Sequence, residues 1–390
     1  MCTKLADKDL CTGCMACVNA CPKKCINIEQ DSMGNLFPVI DYSKCVECKK
    51  CEKSCPIKNN ISINYPNKAY AAWSLDQKDR KTSTSGGSAS VFYQQAISDN
   101  MYICGVEYDN DFHVKHTISR DIESILKFKQ SKYVYSEVDN IYELVKEKLD
   151  NGEDVLFISL PCKVAGLLGF LNKKYDNLIT IDIVCHGTPS YKILDDHIKF
   201  VDKKRIGKNL RFRDDNQMLF DVSSKSKTVY RKYGKEDTYM AAFLEGLDYR
   251  ESCYHCQFAK SKRISDITIS DFWGLGSEIP FEHEYSGAIS AVLINTQKGM
   301  DFFEKCKHRF FYEERPVEEA IKGNAQLNSP TKHHLKRNLF EEMYKSVGFE
   351  KAVKKCLHKE MFNSRIKRRK ASMRMKIRKL ASLFIKKYRR

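Results

Sequence analysis

Read only for apolar and polar positions, the chain changes texture at about residue 60. Before that point the apolar residues form two short runs, Ile26-Asn-Ile-Glu29 and Phe37-Pro-Val-Ile40, around Asp31-Ser-Met-Gly34-Asn35. Two such runs flanking a turn-rich stretch predict a short hairpin. Residues 59–67 are polar and contain a proline, as a linker would. Beyond them strand and helix patterns alternate. Strands are expected over 69–73, 101–107, 112–118, 154–159, 178–184 and 288–295, and helices over 86–98, 122–127, 138–149, 164–171 and 238–245. The apolar strands 154–159 and 178–184, joined by one helix, form a parallel β-α-β unit. Residues 210–230 alternate as an antiparallel insertion. After about Gly299 the chain reads as helical to its end, apart from a loop around Asn328-Ser-Pro330. The expected fold is an α+β module over 1–58, an α/β domain with a mixed sheet over 67–345, and a helical basic tail over 346–390.

Composition narrows the setting. At 390 residues, 42% hydrophobic and 30% charged, the chain is long enough for more than one domain. No window approaches the 18 or so apolar residues of a membrane span, and the N-terminus lacks the apolar core of a signal peptide. Most of the seventeen cysteines stand at metal-ligand spacings, unlike those of a small secreted domain, which points to the reducing cytoplasm. The net charge of +17 is concentrated at one end: thirteen basic residues and no acidic one follow Glu360, leaving +4 for the rest. The body is therefore near neutral and carries no footprint for nucleic acid. In the tail Ile366, Met373, Ile377, Leu380 and Phe384 recur at helical spacing among the basic residues. Such a helix suits an anionic membrane surface at the inner face, or an acidic partner; the plain alternative is a solvated, frayed helix.

The strongest chemical signal is a tandem repeat. Cys11-Thr-Gly-Cys14-Met-Ala-Cys17-Val-Asn-Ala-Cys21-Pro22 is followed by Cys45-Val-Glu-Cys48-Lys-Lys-Cys51-Glu-Lys-Ser-Cys55-Pro56. Each is C-x₂-C-x₂-C-x₃-C-P, the run that holds 4Fe-4S clusters in two-cluster bacterial ferredoxins, with the fourth cysteine ligating the other cluster. That rule assigns Cys11, Cys14, Cys17 and Cys55 to one cluster and Cys45, Cys48, Cys51 and Cys21 to the other. A zinc ribbon also uses paired C-x₂-C, but eight cysteines, two trailing prolines and no interspersed histidine argue against it. Cys2, Cys25, Cys104, Cys306 and Cys356 stand outside the pattern and read as ordinary small side chains.

In the α/β domain Cys162 and Cys185 each fall just past the C-terminal end of an expected strand, the edge where open α/β sheets bind ligands. With Cys253-x-x-Cys256 they make four thiols. These are either a third cubane or two packed cysteines beside an unrelated pair. Ser85-Gly86-Gly87-Ser88 opens an expected helix, where free N–H groups favour a phosphate; an ordinary helix cap is the alternative. No G-x-G-x-x-G follows a strand, so Rossmann-type nicotinamide binding has no support.

Five stretches together resemble the coenzyme F420 hydrogenase/dehydrogenase beta-subunit family, over about residues 67–345. They are Ser85-Gly-Gly-Ser88; Gln130-Ser-Lys-Tyr133; Leu160-Pro-Cys-Lys-Val-Ala-Gly-Leu167; Cys185-His-Gly-Thr-Pro-Ser190; and Tyr249-Arg-Glu-Ser-Cys-Tyr-His-Cys256 running into Ser265-Asp-Ile-Thr-Ile-Ser-Asp-Phe-Trp-Gly274. The resemblance implies FAD, making this a flavin-binding domain, and a further iron–sulfur centre in which Asp266 or Asp271 can stand in for a thiolate. It does not by itself supply the deazaflavin as substrate. It makes Lys132 and Tyr133 candidate flavin contacts, beside the alternative of a solvated lysine. His186 is a candidate proton donor or a structural histidine. Arg263 faces the flavin, an anionic substrate, or simply Asp266. The expected function is an FAD-dependent iron–sulfur oxidoreductase fed by ferredoxin or a partner subunit. A non-catalytic electron-transfer subunit and a role in surface-polysaccharide synthesis are the alternatives.

Overall fold

The computed structural model describes residues 3–214, 217–225 and 227–388, with side chains as far as Arg374 apart from Ser372. Its strands are β1 (Ile26–Gln30), β2 (Leu36–Ile40), β3 (Lys68–Ser74), β4 (Tyr102–Tyr108), β5 (Val114–Ser119), β6 (Ser136–Glu137), β7 (Val155–Ser159), β8 (Leu178–Ile183), β9 (Asn209–Asp214), β10 (Gln217–Ser224), β11 (Lys227–Tyr233), β12 (Ile267–Asp271), β13 (Ser290–Ile294) and β14 (Phe310–Arg315). The expected β-α-β unit lies at the centre. β7 and β8 run parallel with Val155 opposite Leu178, and every residue of β7 is buried. The Pro161–Leu171 helix joins them, with its proline in the first turn, where a missing N–H is harmless.

Around this unit the sheet runs β14-β3-β13-β12-β8-β7-β4-β5-β6. β4 and β12 extend the parallel centre, whereas β13, β3 and β5 pair antiparallel. The sheet is mixed, as the alternation predicts. One face packs Val91 and Phe92 of the Ser88–Ser98 helix with Phe302 and Phe303 against Ile158, Ile181 and Ile269. The other packs Tyr142, Val145, Val164 and Leu167 against Val155 and Phe157, and this core also includes Cys14, Met15 and Ala16 of the first cysteine repeat. Met15 alone, 4% exposed, contributes on the order of 2 kcal/mol by leaving water.

One expectation fails. The stretch read as helical after Gly299 contains β14, an edge strand that pairs with β3 from Phe310 opposite Ser74 to Arg315 opposite Ala69. The two-residue period is present but disguised: the exposed Tyr312 and Glu314 alternate with the partly buried Phe311 and Glu313 and the buried Arg315, which puts charged residues on the more buried face.

Close packing divides the chain into two units. The first comprises Met1–Ile193, Phe212–Asn216 and Tyr249–Lys332; the second, Leu194–Arg211, Gln217–Asp248 and His333–Arg390. In the second, β10 and β11 pair antiparallel with an irregularity at Val222/Ser223. His197, fully buried, sits 3.0 Å from Asp237 and 2.5 Å from Glu350. Burial opposes its charge, but the two carboxylates hold its pKa up at about 9. The Phe349–Tyr388 helix ends the unit, with Leu357 off the helical angles, and Arg368 lies 3.1 Å from Glu236. Of the apolar stripe expected on this helix, the side chains of Ile377, Leu380 and Phe384 lie outside the described residues. Among the described residues no helix is long and apolar enough to cross a membrane.

Candidate functional site

Both cysteine repeats turn on the same left-handed corners. Gly13 and Glu47 hold φ of 64° and 53°, and Met15 and Lys49 hold 59° and 58°. A short helix follows each, Ala16–Asn19 and Lys50–Lys53. These corners curl three cysteines at two-residue spacing around one centre. The thiols of Cys11, Cys14, Cys17 and Cys55 are neighbours: burial, with the charges of Cys11 and Cys55, raises the pKa of Cys14 to about 11 against a hydrogen bond from Ala16 and the Lys163 charge. Cys17 is raised by burial and by Cys14, Cys11 and Cys55. Cys21, Cys45, Cys48 and Cys51 line one pocket with Pro22, Ile26 and Ile40. Each set thus draws its fourth cysteine from the other repeat. Cys25 is buried with its Sγ 3.4 Å from that of Cys21, close to the second set rather than apart from it.

The other four cysteines also come together. Cys162 lies in the first turn of the helix after β7, Cys185 follows β8, Cys253 lies within the Glu251–Tyr254 helix and Cys256 just after it. Burial chiefly, with Cys256, Cys253 and Cys14 and against Lys163, raises Cys162 to about 12. Cys185 is raised by burial, then by Cys253, Cys162 and Cys256. Crowded, buried thiols oppose one another's ionisation and become thiolates only beside a strong cation. Among the described residues no three His, Cys, Asp or Glu side chains meet tightly enough to hold a single metal ion. A cubane, which offers each thiolate its own iron, suits the sulfur-only donor sets.

Cys14, which neighbours Cys162, belongs to a repeat that is bonded into the α/β domain. Lys163 Nζ donates to the Gly13 carbonyl at 2.7 Å, and Tyr135 Oη to the same oxygen at 2.6 Å. Arg250 donates from Nε to the Cys11 carbonyl at 2.6 Å and from Nη1 to the Leu36 carbonyl at 2.9 Å. Glycines permit the approach. A Cβ on Gly166 would lie 2.9 Å from Cys14 Cβ, and one on Gly169 2.3 Å from the carbonyl oxygen of Ser54 at the end of the second repeat. Neither Lys163 nor Arg250 stands out in the sequence; the available signal is that each sits within three residues of a candidate ligand.

The flavin candidates divide. Gly87, with φ 91°, starts the eleven-residue Ser88–Ser98 helix, whose N-terminus has no side-chain cap. Ser88 Oγ is buried without a hydrogen-bond partner. Gly86 is required by the chain itself, since a Cβ there would lie 2.3 Å from the Ala72 carbonyl oxygen, and Ser85 donates to the Ile289 carbonyl at 3.2 Å. Tyr133 Oη accepts from Arg213, which also pairs with Asp271 at 3.0 Å and reaches the Thr84 carbonyl at 3.5 Å. Arg213 Nε and Asp271 Oδ1 have no hydrogen-bond partner. Arg213, placed by the end of β9, carried no signal in the sequence. Lys132 Nζ caps the carbonyls of Lys127 and Lys129, each at 3.0 Å, and burial lowers its pKa to about 7. Arg263 pairs with Asp182 at 2.6 Å rather than with Asp266, and donates to Thr268 and to the carbonyls of Phe258 and Lys260. Asp266 accepts from Thr180 and Thr296, each at 2.8 Å. The His186 Nδ1 lies 2.5 Å from Tyr249 Oη, and burial lowers its pKa.

Residues 152–320 match the family described as the C terminus of the coenzyme F420 hydrogenase/dehydrogenase beta subunit, and residues 10–59 match a 4Fe-4S dicluster domain. Residues 152–320 thus carry the C-terminal domain of the F420 hydrogenase/dehydrogenase beta subunit. The chain carries the dicluster domain at its N-terminus. Among curated proteins, an uncharacterized polyferredoxin-like protein of Methanocaldococcus jannaschii is 34% identical over 74 residues, which is 16% of this chain and 44% of that protein. The pyruvate synthase subunit PorD of Methanothermobacter marburgensis is 38% identical over 52 residues, 13% of this chain and 54% of that one. The chain therefore spans only 44% and 54% of the length of these two relatives. A chain from the xenon-derivatised F420-reducing [NiFe] hydrogenase complex of Methanosarcina barkeri aligns over 76% of this chain and 93% of its own, at 18% identity and a TM-score of 0.47.

Proposed function

We propose that this chain is a cytoplasmic iron–sulfur flavoprotein oxidoreductase. Two 4Fe-4S clusters on the tandem repeats and a third on Cys162, Cys185, Cys253 and Cys256 connect a ferredoxin or partner subunit to FAD. The observation that carries this reading is the adjacency of Cys14 to Cys162, which makes two four-thiol sets neighbours. Such clusters store single electrons, and a flavin converts them into the pairs an organic substrate needs. The residues' own tasks follow. The uncapped helix N-terminus with Ser88 binds the cofactor's phosphates. Arg213 and Asp271, each with an unsatisfied atom, orient a polar group beside that loop. His186, held by Tyr249, is the candidate to hold or release a proton. The basic helix from Arg365 onward docks to an anionic membrane surface; failure to sediment with anionic vesicles would remove that last assignment.

The test is anaerobic purification with iron counting and flavin extraction. About twelve irons and one FAD per chain are expected. About eight irons and no flavin would sink both the third cluster and the flavin, leaving a dicluster electron carrier. A second reading, a non-catalytic member of a larger complex, is favoured by the outward-facing second repeat and by the relative that is itself a pyruvate synthase subunit. Steady reduction of a small molecule by the isolated chain would exclude it.

A further inference from the structure

Two cations lie buried where the first repeat meets the α/β domain. Lys163 is 1% exposed and Arg250 2%. Among the described residues neither forms an ion pair with a carboxylate. Their polar contacts are the carbonyls of Gly13, Cys11 and Leu36, and their remaining contacts are ring faces: Lys163 lies 4.1 Å from the Tyr135 centroid and Arg250 4.0 Å from that of Phe37. Arg250 Nη2 has no hydrogen-bond partner. A buried cation without a counter-charge costs several kcal/mol. The acidic groups that act on Lys163 are thiols, namely Cys162 of one set and Cys14 and Cys11 of the other. Arg250 in turn acts on the Cys253 thiol.

We propose that Lys163 and Arg250 form a cationic bridge between the first-repeat centre and the Cys162/Cys185/Cys253/Cys256 centre, supplying the positive charge that lets two anionic clusters lie side by side and accept electrons there. The proposal rests on the three-cluster reading. Adding an electron to a centre makes it more negative, so a fixed cation nearby raises its reduction potential. The Cys21/Cys45/Cys48/Cys51 centre, gathered in its own pocket with Pro22, Ile26 and Ile40, serves as the internal reference.

The experiment compares wild-type, Lys163→Met and Lys163→Arg proteins, each anaerobically loaded, by iron count and by redox titration followed by electron paramagnetic resonance. In Lys163→Met at least one centre should shift downward by about tenfold in its one-electron equilibrium, about 59 mV. Lys163→Arg should restore the wild-type value, and one centre should remain unmoved throughout. Fully loaded Lys163→Met with no shift overturns the bridge alone. Wild-type protein holding only about eight irons overturns the underlying reading before any variant is compared. If Lys163→Met does not load, Arg250→Met against wild type makes the same measurement, and unshifted potentials there overturn the proposal.

Discussion

The two cysteine repeats share a ligand pattern and a backbone, yet they live in different surroundings. Met15 and Lys49 occupy the same left-handed corner, but Met15 lies in the core beside Tyr142 and Leu167, while Lys49 is exposed. Gly13 and Glu47 share the preceding corner. At Gly13 a side chain would meet Arg250 at 3.0 Å and Tyr135 at 3.2 Å, whereas Glu47 projects into solvent. The sequences between the cysteines say the same: Thr-Gly, Met-Ala and Val-Asn-Ala against Val-Glu, Lys-Lys and Glu-Lys-Ser. Ligation fixes the backbone of such a repeat, and the intervening residues decide whether it faces protein or water. One repeat is packed into the α/β domain at its corners, and the other turns the same corners toward solvent.

This contrast is most exposed to test at the matched corner. Met15→Lys would bury an unpaired charge and should cost about 3 kcal/mol or more, whereas Lys49→Met should stay within about 0.5 kcal/mol; urea midpoints of the anaerobically loaded proteins read both. Equal losses would mean that the first repeat is not part of the core. Gly169→Ala would drive a methyl into the Ser54 carbonyl and should cost about 2 kcal/mol, seen as a lower melting temperature and faster cleavage in the 59–67 linker. At the preceding corner the signs should oppose. Gly13→Ala should destabilise and Glu47→Gly stabilise, each by about 1 kcal/mol, since only a non-glycine is strained at a left-handed φ. The smallest effect on stability is expected for Lys49→Glu with Lys50→Glu, which should leave iron content unchanged. It should slow electron uptake from an acidic ferredoxin-type donor roughly three- to tenfold at low salt, as followed by stopped-flow bleaching. An unchanged rate would mean that the donor docks elsewhere.

Much of this arrangement was readable in the chain. Ligands spaced two residues apart are a local matter, so the eight N-terminal cysteines announce themselves, as do the strand ends that carry Cys162 and Cys185. The hairpin and the β-α-β unit were equally visible, because their apolar runs are short and bounded. Long-range charge pairing was not. Nothing in the residues near Arg263 indicates Asp182, which sits on the strand next to β12, and nothing near Arg213 indicates Asp271. Lys163 reads as one more lysine until Gly13, 150 positions earlier, comes to rest against it. β14 was missed because an edge strand needs only one buried face, and its glutamates outweighed the alternation.

The left-handed corners at Met15 and Lys49 also bear on how the protein is made. Neither residue is glycine, and the conformation costs each about 1–2 kcal/mol, so a newly synthesised chain has little reason to adopt either bend unaided. Metal binding supplies that reason, which makes maturation and folding of residues 1–58 one event. The lysine-flanked corner at Lys49 stays reachable to a delivery scaffold after the first repeat has closed against Gly166. Chains synthesised under iron starvation should accordingly accumulate with this segment open to proteases while the mixed sheet resists them, and pulse proteolysis of such chains would reveal it.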